Sequence, residues 1–144
     1  MSEFQLHPQL ATDTVLLGEL PLSLVLLAKD SQYPWLILVP RRAGIREIHW
    51  LTGDEQQQLM RESCALAQLM ETELAADKIN VAALGNMVPQ LHLHHIARFT
   101  TDAAWPAPVW GKRPAQAYAR LGDEVARWQQ RLSAIDGFTV TGER

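Results

Sequence analysis

The stretch "QLHLHHIARF", Gln90–Phe99, places three of the chain's five histidines within four positions and interleaves them with leucines. Side chains alternate faces along a strand, so as a strand this segment puts Gln90, His92 and His94 on one face. Leu91, Leu93 and His95 then share the other. Leucines on the rear face fit against a core and hold the histidine backbone rigid, which a reactive site needs. Two residues of rise set His92 and His94 about 6.5–7 Å apart at Cα, close enough to act on one small ligand.

The rest of the chain supplies a frame for such a strand. "TVLLGEL" and "LSLVLLAKD" are rich in Val and Leu and are separated by a Gly-Glu-Leu-Pro turn, which reads as a hairpin. "WLILVP", Trp35–Pro40, is a short apolar run between prolines and reads as a largely buried strand. Thr52 and Glu55 form a capping box that starts a helix running to Leu74. Leu59, Met60, Cys64, Ala67, Met70 and Leu74 repeat along it at helical spacing, as a core or dimer face in which Cys64 is a buried, inert thiol. "KINVAALG" reads as a strand ending at Gly85. Thr100–Pro114 is an irregular segment bearing proline and tryptophan. A final helix is expected from about 115 to 132, with Tyr118, Leu121, Val125, Trp128 and Leu132 on one face, then a loose tail over 138–144. Strands, a helix, then more strands is an α+β order with a mainly antiparallel sheet, in one domain spanning 1–144.

Composition narrows the function classes. The chain has 144 residues, 47% hydrophobic and 20% charged, as a soluble globular protein does. A net charge of -3 argues against a broad nucleic-acid surface, though not against one small phosphate-bearing ligand. With Cys64 alone, neither an intramolecular disulfide nor a cysteine-based metal cluster can form. The N-terminal residues lack the basic-then-apolar pattern of a signal peptide, and no apolar run is long enough to span a bilayer. A cytoplasmic protein is expected.

Spacing alone leaves three readings of the His92–His94 pair. A neutral imidazole can attack phosphorus or an acyl carbon and carry the group covalently, while its neighbour assists the leaving group. The pair could chelate a metal, but no third ligand lies nearby and the next acid is Asp102. It could also be a polar patch on a solvated sheet face.

"GNMVPQLHLHHIAR" resembles the signature of the histidine-triad (HIT) superfamily, His-φ-His-φ-His-φ-φ with φ apolar, after a glycine turn. "LHPQLATDT", "YPWLILVPRRAG", "INVAALGN" and "AWPAPVWGK" are similar to successive blocks of bacterial members, so the resemblance covers roughly Phe4 to Lys112. It implies a small α+β fold with a five-stranded antiparallel sheet, one long helix and a C-terminal helix, usually homodimeric. The apolar face of the Thr52–Leu74 helix would then be the interface. It also implies a nucleotide-binding hydrolase or transferase that cleaves at the α-phosphate of nucleoside phosphoramidates or dinucleoside polyphosphates. The partner would be a purine nucleotide or nucleotide conjugate; no metal or cofactor is implied.

Residue by residue, the resemblance assigns His92 as the nucleophile and His94 as the contact to phosphate and leaving group. The first triad position is Gln90, which can hydrogen-bond but not take a proton, and His95 fills an apolar position pointing away. Gly85 matches the glycine of the nucleotide-binding turn, Asn86 stands in that turn where Gln is common, and Met87 stands where some members carry a hydroxyl that helps the leaving group. Asp30 matches an acid that holds ribose, or is simply the turn residue opening "DSQYP". Asn80 matches a family asparagine. Trp105 and Trp110 either close over the site or pack a stiffened loop on the core. Pro34–Trp35 replaces a Gly-His pair, so a further site histidine is missing. The alternative to an enzyme is a nucleotide-binding module with little turnover.

Overall fold

The protein is described by a computed structural model covering residues 3–140. Helix α1 (Pro8–Asp13) leads into strands β1 (Thr14–Glu19), β2 (Ser23–Ala28) and β3 (Trp35–Pro40). A 3₁₀ turn (Ile48–Trp50) precedes helix α2 (Gly53–Leu74), followed by β4 (Lys78–Ala82), β5 (Leu93–Arg98) and α3 (Leu121–Leu132). The strands form one sheet in the order β1-β2-β3-β5-β4, and every adjacent pair is antiparallel. The α+β, five-stranded expectation holds, with β5 inserted between β3 and the edge strand β4.

Register explains the composition of each strand. Leu26, Ile37, His94 and Ala82 pair across the sheet, and so do Leu27, Leu36, His95 and Val81. Partners in register share a face, so the first row faces front and the second faces back. Both faces are covered, which is why β2 and β3 read as continuous apolar runs rather than as alternation. Behind the sheet, Leu27, Leu36, Leu38 and Leu93 join Leu59, Leu66 and Met70 of α2 and Trp128 and Leu132 of α3 in the main core. In front, Leu10, Leu26, Ile37 and Val39 form a second cluster, capped by Phe4 and Leu6 of the N-terminal segment. Each such leucine or isoleucine taken from water stabilises the fold by roughly 1.5–3 kcal/mol.

Helix α2 begins where expected: the Thr52 side chain accepts from Glu55 N, and Glu55 accepts from Thr52 N. Its apolar repeat divides between two faces. Leu59, Leu66 and Met70 are buried, whereas Met60 is 62% exposed and Cys64 is exposed. The expected buried thiol is thus corrected, because the stripe was wider than the contact with the sheet. Helix α3 starts at Leu121, later than the expected 115, since Gln116 is pinned in the turn after β2: its N donates to Asp30 Oδ1 and its O accepts from Ser31 N. β4 ends at Ala82 rather than Gly85. The expected loose tail is ordered at its start, where Thr139 bridges Glu19; residues 141–144 lie outside the described ones.

That bridge depends on Gly18. The register of β1 on β2 shifts between Leu16 and Gly18, and a Cβ on Gly18 would come within 2.4 Å of Thr139 O and 2.6 Å of the Phe138 ring. Gly18→Ala is expected to cost about 1–3 kcal/mol by overpacking. Chemical denaturation checks this, and an unchanged midpoint would contradict it.

Candidate active site

Strand β5 sends its residues to both faces, and the structure gives each histidine a different partner. His92 lies just ahead of the strand, which starts at Leu93 rather than Gln90. His92 and His94 nevertheless share the front face, ring centroids 4.9 Å apart. His95 points back, as alternation requires. It is fully buried; its Nε2 lies 2.7 Å from Ser63 Oγ and its Nδ1 3.1 Å from Leu93 O.

The partners determine the tautomers. A carbonyl oxygen only accepts, so His92 Nδ1–H donates to Gln90 O at 2.7 Å, leaving the Nε2 lone pair free. An indole N–H only donates, so Trp35 Nε1–H, 3.0 Å from His94 Nδ1, finds a lone pair there. His94 carries its proton on Nε2. The His95 ring donates from Nδ1 to Leu93 O and accepts the Ser63 hydroxyl at Nε2.

Aromatic rings close the front of the site. Trp110, from the segment after β5, stands edge-to-face on His94 at 5.0 Å and on Trp35 at 5.7 Å. Trp105 serves the loop itself. Arg98, 2% exposed, binds Asp102 through two nitrogens at 2.8 and 3.1 Å, Asn80 Oδ1 at 2.8 Å and Ala107 O at 2.8 Å, with its guanidinium 5.6 Å from the Trp105 ring centre. Burial opposes the charge on Asp102, but Arg98 and the N–H groups of Phe99, Ala104 and Trp105 outweigh it and hold the carboxyl at about 2. Arg98 and Asn80 therefore anchor the loop that carries Trp110.

The remaining candidates fall in separate places. Gly85, at φ 77°, lines a small hollow with His92, Gln90, Pro89, Leu84, Arg46 and Glu47. Asn86 and Met87 are exposed at the turn, Met87 by 93%. The Gln90 side chain reaches toward the N-terminal segment, accepting from His7 N and donating to Gln5 O, both at 2.9 Å. Asp30 Oδ1 accepts from Gln32 N, Gln32 Nε2 and Gln116 N. Among the described residues, no cluster of three or more His, Cys, Asp or Glu side chains is arranged to hold a metal. A larger cavity of about 640 Å³ lies elsewhere, between α2 and residues 134–136. Neither His92 nor His94 lines that cavity, so the candidate site is considered at the histidine pair.

Sequence reasoning did not identify Arg46 or assign a role to Trp35. Arg46 was legible only as a basic residue after β3, and Trp35 only as a departure from Gly-His.

A HIT-domain profile matches residues 9–101. This chain belongs to the HIT-domain family. Members are nucleotide-binding hydrolases and transferases, and solved structures agree over nearly the whole fold. A histidine triad protein of Marinobacter aquaeolei VT8 is 53% identical, with a TM-score of 0.85 over 91% of this chain and 94% of that one. One from Bradyrhizobium japonicum is 47% identical, with a TM-score of 0.87 over 92% and 97%. A third, from Sinorhizobium meliloti 1021, is 40% identical, with a TM-score of 0.85 over 90% and 95%. No curated protein matches the chain. Among the described residues, no helix of this HIT-domain protein is long and apolar enough to cross a membrane.

The buried imidazoles make stability pH-dependent. Burial, followed by the charges on His92 and His95, lowers the His94 pKa from 6.5 to about 3. Burial lowers that of His95 to about 4, against the raising effect of its bond to Leu93 O. Below 6.5 the unfolded chain takes up protons that the native state refuses. The stability of the neutral forms is therefore complete above 6.5 and is lost as pH falls toward these values. At about pH 5 the loss is on the order of 2 kcal/mol per histidine. The thermal unfolding midpoint should fall between about pH 7 and pH 5, and a flat profile would refute the assignment.

Proposed function

We propose that this HIT-domain protein cleaves at the α-phosphate of nucleoside phosphoramidates or dinucleoside polyphosphates, through a nucleotidyl-histidine on His92. One observation carries the reading: the bond from His92 Nδ1–H to Gln90 O leaves the Nε2 lone pair free beside the hollow at Gly85. Nε2 attacks phosphorus, a P–N bond forms, and the bond to the leaving group breaks with its electron pair. Water then displaces the imidazole, losing a proton to solvent, and the nucleotide departs.

The other groups position substrate in this reading. His94 Nε2–H donates to a phosphoryl oxygen, where a fixed donor helps most as charge develops. Arg46 contributes positive charge at the rim of the hollow. Gln90 acts through its carbonyl on His92, while its amide holds the N-terminal segment over the sheet. Gly85 and Asn86 supply turn backbone near the phosphates, and Asp30, anchored by Gln32 and Gln116, is the ribose-side acid. The commitment of the Gln90 amide to Gln5 and His7 favours the second reading, a binding module with little turnover.

Chromatography of AMP release without added metal decides between them. With adenosine phosphoramidate, an AMP-lysine conjugate and diadenosine polyphosphates as substrates, His92→Ala should lower release by about 1,000-fold or more. Nucleotide binding without AMP release would instead support the module.

The working unit is proposed to be a homodimer in a cytoplasmic setting. Among the described residues, edge strand β4 pairs with β5 alone, Val81 on its rear face is 49% exposed, and Met60 and Cys64 turn outward from α2. A second copy seated there would cover both the strand edge and these side chains. Light scattering should give twice the chain mass, and Val81→Lys with Met60→Lys should shift it toward one chain. A wild-type mass of one chain at micromolar concentration would defeat the proposal.

A further inference from the structure

We infer that Trp35 is a positioning residue that restricts the site to leaving groups able to depart as anions, by fixing His94 as a neutral Nε2–H donor that does not act as an acid. The inference rests on the proposed function and deepens it by choosing between the two substrate classes.

The argument starts from the indole. Trp35 and His94 both face front, on paired strands, and Nε1–H points at His94 Nδ1 at 3.0 Å. Protonating Nδ1 would set two N–H groups against each other, and the indole has no lone pair with which to adapt. Trp110 and Trp35 pack on the ring edge-to-face, and His92 lies against it. A charge on His94 would thus meet an opposed donor, apolar walls and a second imidazole.

The neighbouring groups do not replace the missing acid. His92 Nδ1–H is engaged with Gln90 O, and the Gln90 amide donates to Gln5 O. His95 lies behind the sheet on Ser63. Met87 carries no exchangeable proton, and the Arg46 guanidinium does not deprotonate. Glu47 is exposed at the rim of the hollow, which His92 and Gly85 line and His94 does not.

The two substrate classes respond differently. With a phosphoric anhydride, His92 Nε2 bonds to phosphorus, the P–O bond breaks, and the phosphate product leaves as an anion without a proton. With a phosphoramidate, the P–N bond breaks only if nitrogen is protonated, since an amide anion is too unstable to leave. The neutral Nε2–H of His94 stabilises charge by hydrogen bonding but does not transfer its proton at neutral pH.

The test compares diadenosine triphosphate with adenosine phosphoramidate on the full chain at neutral pH. Losing a positioned general acid is worth 10²–10⁴-fold, so the anhydride should lead in kcat/KM by about 100-fold or more. Trp35→Phe keeps a ring in place and removes the N–H. It should narrow that ratio by about 10-fold at mildly acidic pH, where His94 can then be protonated, with the change in kcat rather than KM. Nitrogen-15 NMR of labelled histidines supplies the spectroscopic reading: His94 should be the Nε2–H tautomer in the wild type and lose that preference in Trp35→Phe. Equal or faster cleavage of the phosphoramidate would overturn the inference and leave the proposed function standing. An unchanged His94 tautomer in Trp35→Phe would also overturn it. Release of AMP from neither substrate, with no nucleotide attached to His92, would overturn the proposed function and this inference with it.

Discussion

The antiparallel pairing of β5 with β3 on one side and β4 on the other is the constraint on which the site depends. Two ladders of backbone hydrogen bonds fix its register, so His94 must face front beside Trp35 and His95 must face back beside Ser63. A slip of one residue would exchange the two rings and place Leu93 and Ile96 on the wrong faces. The apolar rows on each face make such a slip costly. The geometry of the front face is therefore secured largely by leucines behind the sheet and by the contact of α2 with it.

What was legible in the sequence was local. Strand composition, the capping box at Thr52–Glu55 and the alternation from Leu91 to His95 each depend on neighbours within a few positions. All of them survive in the fold. Cys64 was misread because helical periodicity shows that a face exists but not which elements cover it. α3 was placed too early because the Gln116–Asp30 hydrogen bond spans 86 positions and overrides the local apolar spacing.

The candidate site shows the same division more sharply. His92 and His94 stand out by spacing and by resemblance to the HIT pattern. Their tautomers do not, because these come from Gln90 O in one case and from an indole 59 positions away in the other. Gln90 illustrates the difficulty. Its side chain, which resemblance placed in the site, binds backbone 83 and 85 positions away, while its carbonyl, which carries no sequence signal, orients His92.

Burial disfavours a charge on His94 and on His95, and the neighbouring imidazoles add to the effect at His94. The fold also gives each ring a distinct partner that fixes its orientation: a carbonyl for His92, an indole for His94, and a hydroxyl with a carbonyl for His95; of these only the indole N–H opposes a proton. In the proposed reaction, the same arrangement limits the chemistry. A ring kept neutral by burial and an opposed donor is a good hydrogen-bond clamp and a poor acid, so order is gained at the expense of proton transfer. A histidine at position 35 could accept as well as donate and would leave His94 free to change state. The indole cannot, and the loop anchored by Arg98 and Asp102 presses Trp110 onto the same ring. If the proposed reaction holds, substrate preference at such a site would be set by the proton demand of the leaving group as much as by the shape of the nucleotide.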